Sequence, residues 1–296
     1  MRIQERAVVL GFKTAWAVTG YLPQQFLDLV AGSIAIRTFK KNDKGIQRLR
    51  FNLARVINAD PGSKEVADLT LKAIRSYMNY WVSMFALPKR NDDFVLSHVS
   101  VQNSEYLETA LSSGLGALVA VTHSGNWDLA GAYIAKKYGG ITTVAERLRP
   151  VELFDEFTKH RSKRNITILP HRGGVEHPSK VLVSEIRKGK LTGLVADRDL
   201  SSNGIEVQFF ASTAKFPQGP AKIALETLSP LLPAAIWSEG HQTIIKFFPP
   251  ISLESGDVKI VTQALASVFE EILREHPENW HMLQKIWLDM PSELAD

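Results

Sequence analysis

The 296-residue sequence predicts an α/β fold: a largely parallel central sheet flanked by helices on both faces, with an N-terminal helical extension. Three observations carry this. After Gly140, short apolar runs alternate with helical patterns, which is how a parallel sheet with crossover helices reads. Residues 117–121 are continuously apolar, as a strand buried on both faces must be. Residues 1–90 show only helical periodicity, so they form the extension, and residues 91–296 form the α/β core.

Taken in order, 5–22 and 23–38 read as helices divided at Leu22-Pro23, with Pro23 in a first-turn position. They are heavily apolar, yet Arg6, Lys13, Arg37, Lys40 and Lys41 surround them. Two readings stand: a membrane-interface pair at 5–38, or two helices packed on the core. Residues 44–58 carry an apolar stripe at Ile46, Leu49, Leu53, Val56 and Ile57. Ser63 caps a long helix, 64–87, whose aromatic stripe reads as core. A short helix at 104–113 stops at Gly114.

After the strand at 117–121 the chain turns through Ser124, Gly125 and Asn126 into a helix closed by Gly139. Strands follow at 141–145, 166–169 and 191–196, with helices at 150–161 and 178–188 between them. An edge strand is expected at 205–210, a helix at 220–227, strands at 232–237 and 243–248, and helices at 257–274 and 278–288.

The chain has no cysteine, which excludes disulfides, thiol nucleophiles and Cys-type zinc sites. The net charge of +4 suits an anionic partner such as a phospholipid surface, a nucleotide or nucleic acid, and equally an ordinary basic protein. No window offers the roughly 20 uninterrupted apolar residues of a spanning helix, and no signal peptide stands out.

Four polar clusters fall at strand ends: His123 with Asp128; Glu146-Arg147-Leu148-Arg149; Asp197-Arg198-Asp199; and Phe216-Pro-Gln-Gly219-Pro220, which opens a helix. Open α/β sheets bind ligands beyond the carboxyl ends of their strands. On a continuous helix His123 and Asp128 would point about 140° apart. The glycine turn between them is therefore expected to bring the imidazole and carboxylate face to face. No Gly-x-Ser-x-Gly elbow, Walker loop or dinucleotide fingerprint is present. A histidine oriented by a carboxylate, with no serine to serve, suggests general-base activation of a substrate hydroxyl. The electrophile must then arrive activated, and a thioester is the natural candidate.

The segment Thr122-His-Ser-Gly-Asn-Trp-Asp128 resembles the H-x4-D motif of glycerolipid and lysophospholipid acyltransferases, in the form found in the late acyltransferases of lipid A biosynthesis. Four further blocks resemble that family in order: Val144-Ala-Glu-Arg-Leu-Arg-Pro150; Ala196-Asp-Arg-Asp-Leu200 with the segment from Gly204 to Phe210; Gly219-Pro-Ala-Lys-Ile-Ala224 with Leu232-Pro233; and Pro277-Glu-Asn-Trp280. The helix segment from Arg75 to Trp81 resembles the one that precedes the family's motif. Ala-Glu-Arg-Leu-Arg-Pro and Asp-Arg-Asp-Leu-Ser are most similar to the branch acting on phosphatidylinositol mannosides. That resemblance implies transfer of a fatty acyl chain, palmitoyl by expectation, from acyl-CoA as co-substrate to a mannose hydroxyl of an anionic mannosylated phospholipid. It implies a peripheral enzyme on the cytoplasmic face of the inner membrane. It assigns His123 as base, Asp128 as its orienting partner, and Glu146, Arg147, Arg161, Asp197, Arg198 and His281 to substrate binding. Where the family commonly continues Phe-Phe-Gly, this chain has Ala211.

A lipid A-type enzyme, using an acyl carrier protein or a glucosamine-based acceptor, shares the mechanism and stays open. A non-catalytic membrane-surface or nucleic-acid module has no need of the His and Asp pair, so no nucleic-acid partner is expected. No His-x-x-x-His or comparable ligand set is present, so no metal or other cofactor is expected.

Overall fold

The computed structural model describes residues 3–199, 201 and 203–295, the side chains at 3 and 4 excepted. Leu200, which closes the Asp-Arg-Asp-Leu block, lies outside them. The N-terminal region consists of α1 (Ile3–Val18), α2 (Gln24–Lys41), α3 (Lys44–Val56) and α4 (Lys64–Ala86). Asp43 caps α3 by accepting from the Ile46 N–H, and Ser63 caps α4 by accepting from the Val66 N–H, so the orphan donors of each first turn find a partner. Two short elements that the sequence pattern does not reveal come next: α5 (Asp92–Ser97), capped by Asn91, and β1 (Val99–Gln102).

Then come α6 (Ser104–Ser112), β2 (Ala117–Val121), α7 (Trp127–Tyr138), β3 (Ile141–Ala145), α8 (Val151–Ser162), β4 (Ile166–Pro170), α9 (Pro178–Arg187) and β5 (Leu191–Val195). The chain ends with β6 (Ile205–Phe209), β7 (Ser212–Phe216), α10 (Gly219–Thr227), β8 (Leu231–Glu239), β9 (Gln242–Phe247) and α11 (Val258–Glu275). The seven-stranded sheet has the order β1-β9-β8-β2-β5-β3-β4. Its neighbours are parallel except β8 and β9, which form an antiparallel hairpin. The expected largely parallel sheet with helices on both faces is what forms.

Two expected elements differ. The segment at 205–210 is not an edge of this sheet: β6 pairs with β7 in a separate two-stranded hairpin. Phe210 and Ala211 both take positive φ at its turn, the backbone of a two-residue hairpin connection. The hairpin's open edge is satisfied by α11, where Gln263 Oε1 accepts from the Gln208 N–H at 2.8 Å and Glu270 Oε1 from the Phe210 N–H at 2.6 Å. The helix expected at 278–288 is also absent. A 3-10 turn at Pro277–Asn279 leads into an extended strap, with Ser124 bridged to Trp280 and Ala214 to Trp287. The strap satisfies its backbone across chain: the His281 N–H donates to the His123 carbonyl at 2.8 Å. Burying Trp280, Met282 and Trp287 in this way overrides helical periodicity.

The sheet has two unlike faces. On one, Leu118 and Ala120 of β2 pack into a solid core with α3, α9, α10 and α11, including Ile186, Ala221 and Phe269. The other face is covered by α5, α6 and α7, with Leu107, Leu129 and Ala132 among its buried residues. Trp16 of α1 packs with Tyr80 and Met84 of α4 and Phe157 of α8. Leu27, Ala31 and Ala35 of α2 are buried as well. No helix among the described residues is long and apolar enough to cross a membrane.

Candidate active site

The site grows from the carboxyl end of β2. Val121 lies opposite Val195 of β5 where both strands end, and two residues beyond each stand His123 and Asp197. Adjacent strands lie about 5 Å apart, so equal extension brings the two side chains together. The turn after His123 depends on Gly125: its φ is +61°, and a Cβ there would stand 2.5 Å from the Ile236 carbonyl oxygen.

Asp197 is fully buried and receives three hydrogen bonds. Its Oδ1 lies 2.5 Å from His123 Nδ1, and its Oδ2 accepts from the His123 N–H at 2.9 Å and from Trp280 Nε1 at 2.8 Å. Burial alone would raise its pKa, but the His123 ring and these donors outweigh it and hold the carboxyl below its ordinary value. An ionised carboxylate only accepts, so His123 Nδ1 bears a proton, and Nε2 is the nitrogen left to exchange one with a substrate.

The expected pairing of His123 with Asp128 does not form. Asn126 caps α7 by accepting from the Leu129 N–H, and the turn sends Asp128 toward α4 and α8. There Arg161 grips it with Nε at 2.6 Å and Nη2 at 2.9 Å, and Tyr80 donates its hydroxyl at 2.9 Å. Burial works against ionising Asp128, yet Arg161 and Tyr80 hold its pKa below the ordinary value. The Asp128 charge in turn outweighs burial at Arg161 and raises its pKa. The imidazole's carboxylate comes from the third block and not from the H-x4-D motif.

His123 opens onto an apolar cavity of about 390 Å³ between the sheet and α4, α7 and α8. Val119 and Val121 of β2 face it with the two-residue period of a strand, and the carboxyl ends of β3 and β5 add Val144, Ala145, Leu194 and Val195. Ala130, Gly131 and Ile134 of α7 form its roof. Of the residues assigned to substrate binding, Glu146, Arg161 and Arg198 line it, Arg161 while bound to Asp128. Arg147 is exposed next to Gly173 and is not part of the lining.

His281 is not in the cavity wall either. It is buried between Tyr77 and Trp127, with Nε2 2.9 Å from Ser76 Oγ. Burial, with His123 nearby, pushes its pKa down to about 3, which keeps it neutral. Three contributors escaped the sequence reading: Tyr80, Trp280 and Ser76. Ser76 and Tyr80 lie within the Arg75–Trp81 segment noted only as a resemblance, and Trp280 within a block noted only as a signature.

The profile of the family described as bacterial lipid A biosynthesis acyltransferase matches residues 2–289. A phosphatidylinositol mannoside acyltransferase of Mycobacterium tuberculosis (strain CDC 1551 / Oshkosh) is 38% identical over 285 residues, covering 95% of this chain and 89% of that one. Its counterpart from Mycolicibacterium smegmatis is 36% identical over 287 residues, covering 97% and 92%. A match of that extent, with relatives at that identity along nearly the whole sequence, means that the chain belongs to the bacterial lipid A biosynthesis acyltransferase family.

Proposed function

We propose that this acyltransferase moves a fatty acyl chain, palmitoyl by expectation, from acyl-CoA to a mannose hydroxyl of a phosphatidylinositol mannoside. The observation that carries the reading is the 2.5 Å contact of His123 Nδ1 with the buried Asp197, at the mouth of an apolar cavity. The cavity suits an aliphatic tail, and its position would hold the thioester carbon of that tail near the imidazole.

In this mechanism His123 Nε2 takes the proton from the acceptor hydroxyl as its oxygen attacks the thioester carbonyl. The tetrahedral intermediate collapses by breaking the carbon–sulfur bond. The leaving thiolate takes the proton back from Nε2, so the enzyme ends unchanged. Asp197 fixes the tautomer and stabilises the imidazolium that forms. Asp128 acts through Arg161 and Tyr80, tying α7 to α8 and α4 and so shaping the cavity. In this reading Glu146 and Arg198, both in the cavity lining, take polar parts of the two substrates.

The reading includes membrane attachment as a peripheral enzyme, on the cytoplasmic face of the inner membrane by expectation. Leu10 of α1, Tyr21 in the turn between α1 and α2, and Leu29 of α2 are 66%, 72% and 67% exposed. An exposed apolar surface of this kind suits the bilayer interface.

The test is to incubate the purified chain with radiolabelled palmitoyl-CoA and a panel of mannosylated and glucosamine-based lipids. Label should enter the mannosylated lipids, and His123→Ala should abolish incorporation in a protein that still folds. Transfer confined to glucosamine lipids would reject the acceptor, and undiminished turnover by His123→Ala would reject the base.

A further inference from the structure

We propose a second site, for a lipid phosphate, in the cationic cavity beneath α1. This cavity, of about 440 Å³, is separate from the acyl cavity and lies among α1, α8 and the Leu87–Lys89 turn. Five cationic side chains line it against two carboxylates, Asp92 and Glu156. Both carboxylates are engaged: Glu156 with Lys13 at 3.0 Å, and Asp92 with Lys136 at 2.7 Å and Arg164 at 3.7 Å. Lys89, Arg90 and Lys163 are left with no carboxylate partner among the described residues.

Behind the wall, two nitrogens of lining residues are buried without a hydrogen-bond partner, Arg90 Nε and His160 Nδ1. Orphan polar atoms of this kind are uncommon and carry a desolvation cost. Burial and the neighbouring Lys163, Lys159 and Lys89 together push the His160 pKa below its ordinary value. A concave wall with surplus positive charge, supplied by guanidinium and ammonium donors, fits a phosphate oxyanion.

The rim indicates the source. Lys89 Nζ sits 5.1 Å from the centre of the Tyr21 ring, and that ring is among the most exposed apolar groups of the N-terminal helices. An exposed aromatic beside a lysine suits the headgroup level of a bilayer. The proposal therefore takes the phosphate as that of a phospholipid. This source rests on the membrane reading above; the anion chemistry of the cavity does not.

The experiment uses the full chain and the double variant Lys89→Gln/Lys163→Gln, neither residue belonging to the catalytic machinery. Lys188→Gln/Lys259→Gln removes the same charge from exposed positions outside both cavities. Co-sedimentation with phosphatidylglycerol vesicles should weaken at least tenfold in the first variant and within twofold in the second. Inorganic phosphate should raise the melting temperature of the wild type and of the control, but not of the Lys89/Lys163 variant. Equal loss of vesicle affinity in both variants, or none in either, overturns the site. A phosphate response through Lys89 and Lys163 with unaltered vesicle binding overturns the lipid source. Acyl transfer to detergent-dispersed acceptor should survive in the Lys89/Lys163 variant, which separates failure of this site from failure of the acyltransferase reading.

Discussion

The two faces of β2 are built from the same kinds of residue and end up in opposite states. Leu118 and Ala120 have no exposure and face a filled core. Val119 and Val121, one position away, face an empty chamber. The difference lies in what covers each face. Across the solid face α11 brings Phe269 and Leu265. Across the hollow face α7 presents Ala130, Gly131 and Ile134, which leave volume unfilled. Interiors are otherwise close-packed, and apolar voids lower stability. A void kept under a helix, with His123 at its mouth, is therefore best understood as reserved for a ligand.

The largest effect should come from the carboxylate that serves the hollow face. Asp197→Asn keeps an acceptor for Trp280 but turns an amide N–H₂ toward His123 Nδ1. The imidazole would answer by moving its proton to Nε2, leaving no base. Turnover should fall by about four orders of magnitude, as tautomer loss does in the Ser-His-Asp template. A fall of less than tenfold would separate Asp197 from the chemistry. Asp128→Asn tests the other carboxylate and should act on stability instead. Leaving Arg161 buried without its charge partner costs about 3–5 kcal/mol, readable in a denaturant midpoint. Both carboxyls have lowered pKa values in the folded chain. Their stabilisation is thus complete above the unfolded value of about 4 and is lost as pH falls through the lower folded values. Asp128→Asn should flatten that acid transition.

Next in size is the contrast in packing itself. Leu265→Ala, on the solid face, should cost about 2–5 kcal/mol, because it opens a cavity where none existed. Ile134→Ala, under the hollow face, should cost about 2 kcal/mol or less, since its side chain already borders empty volume. Denaturant melts of the two variants measure the gap. Equal losses would mean that the chamber is filled in solution.

Much of this was readable in advance, and the failures have physical causes. The cap at Ser63, the stripe from Ile46 to Ile57 and the apolar run 117–121 gave elements close to those observed. His123 and Asp197 could each be flagged as a polar residue past a strand end. Their partnership could not, because no sequence pattern states that β5 lies beside β2; the short spacing from His123 to Asp128 pointed instead to the wrong carboxylate. The turn at Phe210 and Ala211 contains none of the residues that usually announce positive φ. This also makes sense of the Phe-Phe-Gly departure: Ala211 occupies a left-handed turn position that glycine would fill without strain. The strap at 280–287 has apolar spacing that fits a helix as well as an extended segment, and only its pairing with the turn at His123 decides between them.

The smallest change is the sharpest test of the hollow face. Gly131 sits inside α7, where glycine is worth about 1 kcal/mol less than alanine. A Cβ there would stand 3.6 Å from Ile166 Cδ1, an ordinary contact, so Gly131→Ala should not strain the fold. It should raise the melting temperature by about 2–4 °C for a chain of this size. The same methyl takes volume from the chamber, so turnover with long acyl donors should fall relative to short ones. Gly193 of β5 allows a stricter version, since a Cβ there would meet Ile141 Cδ1 at 2.9 Å and force that side chain to move. Stability and chain preference should therefore shift in opposite senses in Gly131→Ala. A variant that gains stability while its preference across donors of increasing length stays fixed would show that the tail does not lie under α7, and the hollow face would then need another occupant.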